Sequence, residues 1–489
     1  MFCAANRRHK GKKMLIKVCG LLILYLLILF VGHIAAKRAL SGNLTDHILG
    51  GRNLSLPLGF FTLTAAWVGG GFTLGTAESI YSQGLWWTLA PLGYTLSLII
   101  AATFYAPKIY RPENRTFLDP FQRQFGLRTT GLFLVPALIG ELMWSAAVLA
   151  ALGYALKTLL GIPFEVSVVL SGTVALFNTF HGGFWTVTYT DVLQLLLMFF
   201  GLLISIPFIA EHVPNVLDTW SFYLQNQKLE APFIKNHGWS LVSGLTWLDQ
   251  LLLLTLGGIP WGCYFQKVLA CKTKKIATQM SYLAAFGSAF AAIPAAIIGI
   301  LAFSLFHNTD QLTEAANVLP QTISQFTPHW VTTLGLAAIA SAILSSVDSS
   351  ILSSATLFTI NIVAPSFPNL SEKKLTKVSR ISTLAVGVLT ILVAIQVKSV
   401  YNLWALSADL VYTLLFPQLT CVLFFKQLTR IGALSGFWVG AFTRLYFVCV
   451  PSPHLPFYFI SMILSLLTII FVSLLTEKSP VIIESDLLQ

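Results

Sequence analysis

Apolar runs of about twenty residues, each long enough to cross a bilayer as a helix, recur from one end of the chain to the other. They lie near residues 14–36, 56–81, 84–107, 129–158, 163–182, 190–211, 243–268, 279–306, 330–363, 379–397, 400–425, 431–450 and 456–475. In hydrocarbon every backbone N–H and C=O must be paired within the protein, which leaves only helices or a closed barrel. These runs are about twice the length a barrel strand needs. The expectation is an all-α polytopic membrane protein with about 13 transmembrane helices. Composition agrees: 56% of the 489 residues are hydrophobic and 10% are charged, against about 25% charged in soluble domains.

A net charge of +11 would suggest a nucleic-acid partner in a soluble chain. Here the cations sort into alternate loops instead. Lys37 and Arg38, then Lys108, Arg111, Arg115, Arg123 and Arg128, then Lys267, Lys272, Lys274 and Lys275 fall on one side. Lys373, Lys374, Lys377 and Arg380, then Lys426 and Arg430, fall on that same side. This is the cytoplasmic pattern of the positive-inside rule, so the partner is a lipid bilayer, with no nucleic acid, and the C-terminus is cytoplasmic. An odd number of crossings puts the N-terminus outside, against Arg7, Arg8, Lys10, Lys12, Lys13 and Lys17. Either later helices force the first one's orientation or translation starts at Met14, the reading favoured here. The sequons at Asn43, Asn53, Asn114 and Asn369 fall in cytoplasmic loops, so none is expected to carry a glycan. The six cysteines have no ligand spacing, which argues against a disulfide framework or a zinc site. The tail from Glu477 resembles a dileucine signal only loosely, at Glu484–Leu488, and is expected to be disordered.

Two of the apolar runs are broken. Thr64-Ala-Ala-Trp67-Val-Gly69-Gly70-Gly71 interrupts one and Gly257-Gly258-Ile-Pro260-Trp261-Gly262 the other. Each glycine costs about 1 kcal/mol in a helix interior relative to alanine, and irregular backbone at membrane depth survives only where it lines a cavity or is buried in protein. Paired breaks, one in each half of a chain, point to a transporter binding site. Both carry a tryptophan, Trp67 and Trp261. Aromatic residues make up 13% of the chain, and most must serve packing or the interfacial belt, but belts do not lie beside mid-membrane breaks. Tryptophan offers the best face for a cation, so the substrate read from these residues is an organic cation or, failing that, an apolar solute.

Acidic residues at membrane depth are Glu78, Glu141, Asp191, Asp249, Asp348 and Asp409. Such residues are functional candidates, though for Glu78, Asp249 and Asp409 a structural cap or ion pair remains an equal alternative. Asp348 stands in Ser345-Ser-Val-Asp348-Ser349-Ser350, where Ser345 and Ser349 share a helix face. Hydroxyls and a carboxylate offer only hard oxygen ligands, which suits an alkali cation. A close-packed small-residue interface would explain the serines but not the aspartate.

These stretches resemble the sodium/solute symporters, whose fold is the inverted repeat of the bacterial leucine transporter. Thr190-Asp191-Val-Leu-Gln194, preceded by His181 to Val187, looks like the family's loop entering core helix five, and Ala342 to Ser346 like its sodium-binding run. Within the family the chain is most similar to the high-affinity choline transporters. That similarity rests on Thr64–Gly71, Gly75–Glu78, Ala90–Tyr94, Leu118–Gln122, Gly140–Trp144, Leu256–Trp261, Ser345–Ser350 and Asp409–Tyr412. The resemblance implies two inverted five-helix repeats, 56–211 and 243–425, separated by an extracellular loop at 212–242. Residues 1–55 would precede them as a basic tail, first helix and cytoplasmic loop, and 426–489 would follow as two helices and a short tail. It implies a choline cage of Trp67, Tyr94, Trp144 and Trp261. It implies sodium at the Ala65, Val68 and Ala342 carbonyls with the Ser345 and Ser346 hydroxyls, and a further sodium near Asp191, Asp348 and Ser349. Chloride dependence is implied too, with no motif that places an anion. The expected activity is sodium-coupled choline import across a plasma membrane, or a bacterial inner membrane. The alternative is a sodium symporter for another quaternary ammonium or small organic solute such as a betaine. The same fold serves as the sensor half of some histidine kinases, against which stands the lack of a soluble domain after residue 476; a channel suits the paired breaks less well. No nucleophile–base pair suggests an enzyme.

Overall fold

The computed structural model describes residues 2–37, 43–227, 231–235, 238–307, 312, 314–396, 400–450 and 454–477. Among them the chain is helical almost throughout, with one two-stranded hairpin, Ile234–Lys235 against Gly238–Trp239. Ten helices are long and apolar enough to cross a membrane, or up to eleven when the bent pair Leu56–Trp67 and Gly70–Ser82 is taken as one span. The short apolar helix Leu241–Leu256 and its continuation Gly262–Ala270 flank the second break.

The expected segments 163–182 and 190–211 are not separated by a loop. Phe164–Ala210 runs as one 47-residue element in which only Gly183, at φ +56° and ψ −134°, leaves helical geometry. The residues 184–189, expected as a loop entering a helix, are already helical. Gly183 is required here: it has a left-handed backbone, and a Cβ on it would collide with the carbonyl oxygen of His47. The helix is therefore kinked on one residue, packed against the short helix Leu44–Leu49.

His329–Ser366, the serine helix, is the most buried of the candidate spans and packs against Phe164–Ala210 and Asp119–Leu160. Its small side chains let neighbouring backbones approach closely. The outer helices instead turn large apolar side chains outward, among them Phe286, Phe290, Phe442 and Phe471, which only lipid would cover. Asn114, one of the sequon asparagines, is fully buried and donates from Nδ2 to the Ile109 carbonyl at 2.7 Å, so it cannot take a glycan in this fold. The expected tail motif at Glu484–Leu488 lies outside the described residues.

Candidate functional site

The first break begins where the helix Leu56–Trp67 ends. Val68 (φ −87°, ψ 56°) and Gly69 (φ −79°, ψ −174°) are not helical, and the axis turns by 54° before Gly70–Ser82 continues. A helix end leaves its last carbonyls without intrahelical partners, so the Ala65 to Val68 carbonyls are available in the protein interior. One is partly satisfied: Ser346 Oγ on the serine helix donates to the Ala66 carbonyl at 3.2 Å.

The glycines explain this approach. A Cβ on Gly69 would collide with Ser346 Oγ, and one on Gly70 with the Ile343 side chain, while the Ala342 carbonyl would lie 3.7 Å from a Gly69 Cβ. Gly69 and Gly70 thus seat the break directly against the run Ala342–Ser346. The sequence suggests that the glycines make room for a ligand; two of the three make room for the serine helix instead. Gly71 faces Val148 and Trp144 at ordinary contact distance.

The second break, Gly257 to Trp261, is held by its own tryptophan, whose indole Nε1 donates to the Gly257 carbonyl at 2.8 Å. Beyond it the helix Gly262–Ala270 starts against Glu141. The Cys263 N–H donates to Glu141 Oε1 at 3.0 Å, Ser353 Oγ donates to the same oxygen at 3.1 Å, and Ser350 Oγ donates to Oε2. A carboxylate at a helix N-terminus satisfies free N–H groups and complements the helix dipole. Asp249 acts similarly, accepting from the Phe459 and Tyr458 N–H groups at 2.7 and 3.2 Å. Asp409 pairs with Arg444 at 2.5 Å. Two of these three acids thus sit against helix N-termini and the third in an ion pair.

Between the two breaks lies a cavity of about 310 Å³, open mouth included, lined by Ala66, Trp67, Tyr94, Trp144, Trp261 and Cys263. All four aromatics expected from the sequence converge here from four different elements, each at most 9% exposed. Trp144 and Trp261 meet edge to face with centroids 6.0 Å apart, and Trp67 meets Tyr94 at 6.3 Å and Tyr264 at 5.7 Å. The Trp404 side chain lies beside the Tyr94 hydroxyl. Tyr264 and Trp404 escaped the sequence reading because each is one aromatic among many in an apolar run, Tyr264 lying just past the second break and Trp404 far from either. The lining holds no charged side chain, so a cation there would be met by ring faces alone.

The expected cation ligands divide into two groups. Ser345 Oγ donates to Asp191 Oδ1 at 2.6 Å, and Ser346 Oγ to Ala66. With their protons so committed, both hydroxyl oxygens keep lone pairs for a cation beside the Ala342, Ala65 and Val68 carbonyls. Among the described residues no three His, Cys, Asp or Glu side chains converge, so these hard neutral oxygens define what could bind. The second group departs from expectation. Asp348 is held by Asn178 Nδ2 at 2.7 Å and Thr179 Oγ1 at 3.4 Å. Between Asp191 and Ser349 stands the ammonium of Lys267, 3.0 Å from each, and 2.9 Å from Thr62 Oγ1. Lys267 was expected among the cytoplasmic loop cations; it is instead 3% exposed and ion-paired with a fully buried aspartate. Both Thr62 and Lys267 escaped the sequence reading, the lysine because a cation at the end of an apolar run looks like a flank.

Residues 47–440 match the sodium:solute symporter family. The chain is 41% identical over 442 residues to the high affinity choline transporter 1 of Homo sapiens, covering 87% of this chain and 76% of that protein. It is 38% identical over 503 residues to the high-affinity choline transporter 1 of Caenorhabditis elegans, covering 95% and 86% respectively. The structure of a Na+-coupled sialic acid symporter, substrate-bound and outward-open, superposes with a TM-score of 0.82 over 95% of this chain and 99% of that one, at 19% identity.

Proposed function

The chain belongs to the sodium:solute symporter family, and from that premise we propose that it imports choline, driven by sodium, by alternating access. The observation that carries this reading is the uncharged aromatic cavity between the two helix breaks. Each desolvated ring face is worth about 2 kcal/mol to a cation, so Trp67, Tyr94, Trp144 and Trp261 would hold a trimethylammonium without a counter-ion. A charged carboxylate, as on an amino acid, would find no cationic side chain in this lining. The names of the animal relatives support the same substrate.

Sodium would bind where the first break meets the serine helix, at the Ala65, Val68 and Ala342 carbonyls and the Ser345 and Ser346 hydroxyls. By fixing the backbone next to Trp67 it would raise choline affinity, and choline would raise sodium affinity by the same factor. The acceptors around Asp191, Asp348 and Ser349 form the second cation position of this reading. We read the chain as thirteen crossings in two inverted five-helix repeats, 56–211 and 243–425, with the C-terminus cytoplasmic. In support, a 47-residue element would be about 70 Å long if straight, twice a bilayer core, and its helical geometry is interrupted at Gly183. Chloride dependence is part of the proposal through the resemblance alone. Reconstituted protein given radiolabelled choline, betaine and proline, with sodium and chloride varied separately, tests the reading. Choline uptake that needs sodium supports it, and preferential betaine uptake would replace the substrate while keeping the coupling.

A further inference from the structure

The second cation position already contains a cation. An ammonium has three N–H donors, and those of Lys267 meet three acceptors: Thr62 Oγ1, Asp191 Oδ2 and Ser349 Oγ, all within 3.0 Å. Asp191 in turn accepts three hydrogen bonds, from Thr62 and Lys267 on Oδ2 and from Ser345 on Oδ1. A carboxylate and two hydroxyls form the oxygen set that an alkali cation would use. Lys267 and Asp191 are 3% and 0% exposed, so a second ion could enter only by displacing the ammonium, leaving a charge buried without a partner.

We propose that Lys267 is a resident cation in the place of a second sodium ion, so that choline is carried with one sodium and not two. This rests on the sodium-coupled reading above and deepens it. The tether spans four elements: Thr62 in the first broken span, Lys267 in the second, Asp191 in Phe164–Ala210 and Ser349 in the serine helix. It joins them as a bound ion would, yet the ammonium cannot leave with the substrate, so it carries no charge across the membrane. Ser345 links the two positions, since the hydroxyl offered to the first sodium also donates to Asp191. Losing the ammonium therefore alters sodium binding at the first site as well.

The test measures sodium ions moved per choline in proteoliposomes, together with sodium-dependent thermal stabilisation of purified protein at constant ionic strength. The unaltered protein should move one sodium per choline, with a sodium Hill coefficient of about 1, because a Hill coefficient cannot exceed the number of sites. Lys267→Ala opens the position. Its half-saturating sodium should rise, and both uptake and stabilisation should steepen toward a Hill coefficient of about 2. Lys267→Arg should keep the first-order dependence. The double variant Lys267→Ala/Asp191→Asn, which removes both charges and guards against misfolding of the single variant, should do the same. A ratio of two sodium ions per choline in the unaltered protein overturns the proposal while leaving sodium coupling intact. A first-order dependence in folded Lys267→Ala also overturns it. Absence of any sodium dependence in the unaltered protein sinks the sodium-coupled reading itself, and this proposal with it.

Discussion

Trp67→Leu separates recognition of a cation from recognition of an apolar body. Leucine keeps much of the apolar volume and removes only the ring. Among the described residues the buried Trp67 indole N–H has no hydrogen-bond partner, so the substitution forfeits none there. Its edge-on contacts with Tyr94 and Tyr264 contribute about 0.5–1.5 kcal/mol each, a stability loss a membrane protein of this size should tolerate. What remains is the ring face toward the cavity. At about 2 kcal/mol for a desolvated cation–π contact, its loss should raise half-saturating choline about 30-fold. The assay is inhibition of radiolabelled choline uptake by unlabelled choline and by 3,3-dimethylbutanol, its neutral isostere. The isostere should compete poorly with the unaltered protein, and the two ligands should converge in the variant. A folded, membrane-inserted Trp67→Leu protein whose choline affinity stays within about threefold of the original refutes the cage. So does an isostere that competes as well as choline.

Ser346→Ala removes a hydroxyl ligand and leaves the Ala66 carbonyl without its donor, a loss of about 1 kcal/mol or more. Half-saturating sodium should rise at least about fivefold in sodium-titrated uptake, with choline affinity little changed at saturating sodium. Gly69→Ala forces a methyl into Ser346, and should weaken sodium more than Ser346→Ala because it also displaces the break; equal sodium curves for Gly69→Ala and the unaltered protein would contradict that packing. Glu141→Gln should weaken the start of Gly262–Ala270 by about 0.5–2 kcal/mol, seen as a lower melting temperature in detergent and a higher half-saturating choline. An unshifted melting temperature would assign the Cys263 N–H another partner.

The breaks and their tryptophans were legible because nothing else explains glycine and proline runs at bilayer depth. Trp67 and Trp261 could thus be named from the breaks, while Tyr94, Trp144 and the run Ala342–Ser346 came only through the family resemblance; the fold brings the four aromatics together around one cavity. Less legible was anything set by contact across the fold. Gly69 and Gly70 look like space for a ligand until the serine helix is seen to fill it. The caps made by Glu141 and Asp249 join helices 122 and 209 residues apart in sequence, which no local pattern reports. Lys267 was hidden by position: one lysine at the end of an apolar run has the same sequence signature whether it points to water or to Asp191. The kink at Gly183 was hidden because a single glycine interrupts the helix where a loop was expected.

The central claim is that choline is driven uphill by sodium through the site between the breaks. The direct measurement is accumulation of radiolabelled choline in proteoliposomes of the purified protein under an inward sodium gradient. The account predicts an internal concentration above the external one, falling to equilibrium when an ionophore collapses the gradient, and lost in Trp67→Ala and Trp261→Ala. Choline that only equilibrates, gradient or none, or that accumulates equally in both variants, would contradict it.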